Sequence, residues 1–139
     1  MNELQSGQHF LRTALMCNAG FSVLSATTII FCPDSLVRCL AIPRDFGVLL
    51  LGIGLIVFAI RLLLNAAQPQ ITLVGARLAV AVDLTWVATS ILVIVLAPLA
   101  LQGKLVVAII AVIVLCFALA QWIGLRRMRS ASVEELPHP

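Results

Sequence analysis

Residues 105–125 read LVVAIIAVIVLCFALAQWIGL, a run without one charged side chain. A helix needs about 20 apolar residues, at about 1.5 Å each, to cross about 30 Å of hydrocarbon, so this run predicts a membrane-spanning helix. Outward from it, Pro98 to Lys104 forms a tight connection on one side, and Arg126, Arg127 and Arg129 close the other. Three further runs reach spanning length: Arg77 to Ala97, Phe46 to Leu64, and Phe10 to Phe31. Composition agrees, with 62% of 139 residues hydrophobic and 11% charged, against about 45–50% and about 25% in soluble domains. The expected fold is all-α: an integral membrane bundle of four antiparallel transmembrane helices, with a short interfacial segment between helices 1 and 2. One domain over residues 1–129 is expected, followed by a disordered cytoplasmic tail over 130–139.

The links between runs are short. Cys32 to Asp45 (CPDSLVRCLAIPRD) is bounded by Pro33 and Pro43, and Asn65 to Ala76 (NAAQPQITLVGA) holds Pro69 and Gly75. Proline suits a helix start and interrupts a helix interior, and short links predict that sequential helices are antiparallel neighbours. A signal peptide accounts poorly for the first run, because Met1 to His9 has no Lys or Arg and the run contains Asn18.

The formal charge of +3 is carried by basic residues at the ends of apolar runs, which is the pattern of membrane-orientation charges and not of a nucleic-acid surface. Arg12, Arg61, Arg77, Arg126, Arg127 and Arg129 fall on the side shared by both termini; Arg38, Arg44 and Lys104 fall on the other. The excess places both termini in the cytoplasm. The arginines at the chain's end would attract anionic headgroups at about 1 kcal/mol per charge, a contribution to orientation.

Chemistry inside the spans rests on few residues. An Asp at the centre of a spanning helix costs about 2.5–3.5 kcal/mol on insertion scales, so it should face the bundle and have a partner. Asp83 lies about 9 Å from the cytoplasmic end of its span, Asn18 about 12 Å, Arg61 about 5 Å and Gln121 about 6 Å by helical rise. Each helix thus offers one strongly polar residue to the same half, and a network of Asn18, Arg61, Asp83 and Gln121 is expected, the guanidinium fork suiting a carboxylate. Periodicity sets Asn18, Ser22 and Ser25 on one stripe, Asp83, Trp86 and Ser90 on another, and Gly47, Gly54 and Arg61 on a third. Ala108, Ala111, Ala118 and Gln121 give the fourth helix a face of small residues, as close packing in lipid requires. Such a network either glues the bundle or makes Asp83 a protonatable or ligand-binding group.

Cys32 and Cys39 are expected outside, where a disulfide between them is one reading and free thiols the other. In a short helix they would stand at i and i+7, about 10 Å apart and too far to bridge. Their spacing is not the CxxC of four-helix quinone-linked thiol oxidases. Cys17 and Cys116 read as small hydrophobes. His9 and His138 lie near the termini, away from other ligand types, so no metal and no cofactor is expected.

The runs AVDLTW (81–86), NAGFSVLS (18–25) and QWIGLRR (121–127) resemble a recurrent kind of uncharacterised small bacterial four-span integral membrane protein. The resemblance covers most of the chain. It implies a multi-pass protein of the bacterial inner (cytoplasmic) membrane and supplies no activity. The small multidrug transporters share the size and the four spans, but their Glu in the first helix has no counterpart here, where the span holds Asn18. The expected function is a noncatalytic accessory or interaction module whose partners are the lipid bilayer and a second copy or another membrane protein, with no nucleic acid. The alternative is a small oligomeric transporter or lipid-like ligand binder that uses Asp83. An enzyme is not expected.

Overall fold

The computed structural model describes residues 3–31 and 46–134. They form four helices: α1 (Glu3–Phe31), α2 (Phe46–Ala67), α3 (Leu73–Leu96) and α4 (Leu101–Glu134). All four are long and apolar enough to cross a membrane. Their outer faces carry large apolar side chains, Leu24, Leu50, Leu78, Leu96 and Ile109 among them, the surface a helix presents to lipid. Hydroxyls on these faces bond to their own helix: Thr27 and Thr28 donate to Val23 and Leu24 carbonyls at 2.8 and 2.9 Å, and Thr85 to Ala81 at 2.8 Å. Lipid offers a hydroxyl no other acceptor, so the i−4 carbonyl takes it.

The helices exceed the lengths expected from the apolar runs. α3 starts at Leu73, four residues before Arg77, and α4 runs on through Ser130 to Glu134, so residues 130–134 are helical where a disordered tail is expected. At about 1.5 Å per residue α4 is about 51 Å long and projects beyond the hydrocarbon. Polar residues at its end keep intrahelical bonds, Ser130 donating to the Arg126 carbonyl at 3.3 Å. Residues 135–139 lie outside the described residues, as does the interfacial segment with Cys32, Cys39, Arg38 and Arg44.

Packing departs from sequence order. α1 packs broadly on α2 and on α4, and α4 on α3, whereas α2 and α3 touch little although only a short turn joins them. The lateral order is α2, α1, α4, α3. The tightest packing gathers at the end that holds the N-terminus of α1: Leu11 and Leu15 of α1, Ala59, Leu62 and Ala66 of α2, Ile71 of the turn, Ala76 and Ala79 of α3, and Leu125 of α4. Small residues bring α1 and α4 together there. A Cβ on Gly124 would stand 2.9 Å from Leu11 Cβ and 3.1 Å from Leu11 Cα, inside contact distance, so only glycine admits this approach. Phe21 and Phe117 continue the seam with tilted rings 5.7 Å apart, a favoured aromatic geometry.

Candidate functional site

Three polar side chains meet about one turn deeper than Leu15, Ala79 and Leu125 of this apolar cluster. Asn18 Nδ2 donates to Asp83 Oδ2 at 2.7 Å, and Gln121 Nε2 donates to the same oxygen at 3.0 Å. All three residues are enclosed: Asn18 is 1% exposed, Asp83 2% and Gln121 0%. Each sits on the inward stripe of its helix. On α1 that stripe is Leu11, Leu15, Asn18 and Ser22; on α3 it is Ala76, Ala79, Asp83 and Ser90; on α4 it is Ala111, Val114, Ala118, Gln121 and Leu125. Small residues one turn away in each stripe leave the room in which the longer polar side chains converge. Ser90, on the Asp83 face, bonds to the Trp86 carbonyl of its own helix at 2.8 Å and takes no part.

Arg61 is not in this group. It is exposed on α2 and, among the described residues, makes neither hydrogen bond nor ion pair with Asp83. The buried face of α2 is Gly52, Ala59, Leu62, Asn65 and Ala66, and Arg61 is about 200° around the helix from Ala59 at 3.6 residues per turn. Gly54 shares its outward stripe, and a Cβ there would meet nothing within 4 Å. Of the expected stripe of Gly47, Gly54 and Arg61, the two described positions, Gly54 and Arg61, point away from the bundle. Near its end of the span, the long Arg61 side chain reaches the interface more cheaply than the interior.

The carboxyl of Asp83 is therefore met by two neutral amide donors and no cation. The cluster has spare capacity: Gln121 Oε1 and Trp86 Nε1 are buried with no hydrogen-bond partner. The two clefts at this end of the molecule are lined by other residues, and neither Asn18, Asp83 nor Gln121 is among them. Among the described residues, no group of three His, Cys, Asp or Glu side chains comes together.

A second polar arrangement joins α2 to α3. Asn65 Oδ1 accepts from the Thr72 hydroxyl at 2.6 Å and from the Thr72 backbone N–H at 3.1 Å. Arg12 of α1 donates from one nitrogen to the carbonyls of Gln68 at 2.7 Å and Pro69 at 3.3 Å, and Gln8 donates to Pro69 at 2.6 Å. Carbonyls of the turn that follows α2 are thereby met by a cation, whose charge also suits the nearby helix C-terminus. Sequence reading assigns Arg12 to orientation alone and passes over Asn65. The available signal was Asn65 at the close of an apolar run, followed by Gln-Pro, where an Asn side chain serves turn backbone.

No known protein family, curated protein or solved structure matches this chain.

Proposed function

We propose that the chain is a noncatalytic multi-pass module of the bacterial inner membrane, an accessory or interaction subunit that works through its lipid-facing helix surfaces. The observation that carries this reading is the closure of Asp83. A carboxyl that cycles protons or meets a ligand needs access, and here it is sealed among three helices with both donors fully buried. What the carboxyl does in that position is tie α1, α3 and α4 at one level. α2 and α3 each pack broadly on a single neighbour and leave long apolar faces to lipid or to another membrane helix, a second copy of the chain included.

A second reading, a small oligomeric transporter or lipid-like ligand binder, rests on the unpartnered Gln121 Oε1. A Gln121 amide turned end for end would present that oxygen to a neutral Asp83 O–H, so the side chain can serve either protonation state. Proton flux into proteoliposomes separates the two readings. Parent protein and Asp83→Asn should both leak no faster than empty vesicles, whereas a flux that Asp83→Asn abolishes would overturn the module reading in favour of the carrier.

Six arginines on the side of both termini against Arg38, Arg44 and Lys104 on the other support cytoplasmic termini. A reporter fused after Pro139 should be active only in its cytoplasmic form; activity of a periplasm-dependent reporter would reverse the orientation.

A further inference from the structure

At the end of the bundle that carries both termini, the start of α3 and the end of α4 part to leave a cleft of about 250 Å³. Leu73 and Arg77 of α3 line one wall; Trp122, Leu125, Arg126 and Arg129 of α4 line the other. Three arginines thus line one small space, drawn from two helices, with Arg77 on one and Arg126 and Arg129 on the other. No carboxylate is among the lining residues. Like charges held together repel, so this cluster needs an anion to be at ease.

The details favour a phosphate. The Arg126 guanidinium lies over the Trp122 ring, 4.4 Å from its centroid, which holds a planar donor fork in place beside the cleft. Leu73 is the first residue of α3, so that helix's N-terminal pole faces the same space. Thr72 makes no side-chain cap to it; its hydroxyl donates to Asn65 instead. A helix start without its side-chain cap adds backbone donors and partial positive charge. Arg127, by contrast, turns to α1 and lies 5.2 Å from the Phe10 ring centroid. The three basic residues of the terminal cluster are therefore divided: two face the cleft and one does not.

We propose that this cleft binds the phosphate of an anionic phospholipid, with Arg77, Arg126 and Arg129 around the headgroup, Leu73 at the outer rim, and an acyl chain descending past Leu125 and the Trp122 ring of α4. A lipid is favoured over a free phosphate because the α4 wall below Arg126 is apolar, Leu125 and Trp122, and the site opens where spanning helices leave the hydrocarbon, at the depth of headgroups. The proposal does not depend on what Asp83 does.

Binding is measured on the full chain in a neutral detergent by native mass spectrometry, titrating phosphatidylglycerol, phosphatidylcholine and soluble glycerol 3-phosphate. Phosphatidylglycerol should bind at least tenfold tighter than either of the others. Each of Arg77→Gln and Arg126→Gln should weaken it about fivefold and the pair together about 25-fold, from the usual contribution of one basic residue at a membrane surface. Arg127→Gln removes the same charge outside the cleft and should change binding less than twofold. Equal loss in Arg127→Gln would reduce the effect to general surface charge, equal binding of phosphatidylcholine would remove the anion, and equal binding of glycerol 3-phosphate would remove the lipid; each overturns the proposal. Thermal unfolding of every variant without added lipid, matching the parent, confirms that any loss is not unfolding.

Discussion

Two amide N–H groups converge on one oxygen of Asp83, and this fixes what a substitution there should do. Asn at position 83 keeps a carbonyl oxygen for the Asn18 and Gln121 donors. Asp83→Asn should therefore unfold in detergent within about 1 kcal/mol of the parent, whereas Asp83→Ala strands two buried donors and should lose about 1–3 kcal/mol. Had Arg61 been the partner, the ranking would differ, since removing one charge of a buried pair leaves the other uncompensated at about 3–5 kcal/mol. A loss of that size in Asp83→Asn would show that a cation holds the carboxyl after all. The convergence of Asn18, Asp83 and Gln121 was legible in the sequence because depth along a helix follows from counting residues and an intramembrane polar group must face protein. The exclusion of Arg61 was not legible. A seven-residue spacing defines a stripe and says nothing about which way it faces, and near a helix end an arginine can escape to the interface where an aspartate deeper in the span cannot.

At the scale of elements, α2 packs along its length on one neighbour and is fastened to the rest of the bundle at its C-terminal turn. It has one broad contact, with α1, and its end is fastened by Asn65 to Thr72 and by Arg12 to the carbonyls of Gln68 and Pro69. Asn65 is 8% exposed but Thr72, which supplies both donors, is exposed, so Asn65→Ala removes two hydrogen bonds whose donors can turn to water. A loss of about 0.5–1.5 kcal/mol follows, and amide exchange should accelerate at the start of α3 before it does in α1 or α4. Uniform acceleration across all four helices would mean that the turn does not fasten α2 independently. The spans themselves were readable from apolar run length, but their ends were not: α3 begins at Leu73 and α4 continues to Glu134. Run length reports where hydrocarbon stops, and a helix whose backbone is already hydrogen-bonded does not have to stop there.

For the molecule as a whole, the lateral order α2, α1, α4, α3 places the first and last helices at the centre and leaves α2 and α3 at the flanks. Short connections predicted α2 beside α3, and the turn from Gln68 to Thr72 does keep their ends together, yet small residues decide packing in lipid more strongly than loop length does. Gly7, Leu11 and Gly124 draw α1 onto α4, whereas Gly54 on α2 faces open space. This order is testable by cross-linking. A Cβ on Gly7 would stand 3.3 Å from Arg127 Cβ, close to the roughly 3.5–4.5 Å of a disulfide. In a background freed of native cysteines, Gly7→Cys with Arg127→Cys should therefore oxidise to an intramolecular bridge that joins residues at opposite ends of the sequence. The same pair with Arg129→Cys in place of Arg127→Cys serves as control, because Arg129 turns toward α3 and the cleft, about 200° around α4, and should bridge far less. Equal yields from both pairs would mean that the end of α4 samples many rotations about α1, and the fixed α1–α4 seam that organises this bundle, with the arginine cleft it leaves on the opposite face, would have to be given up.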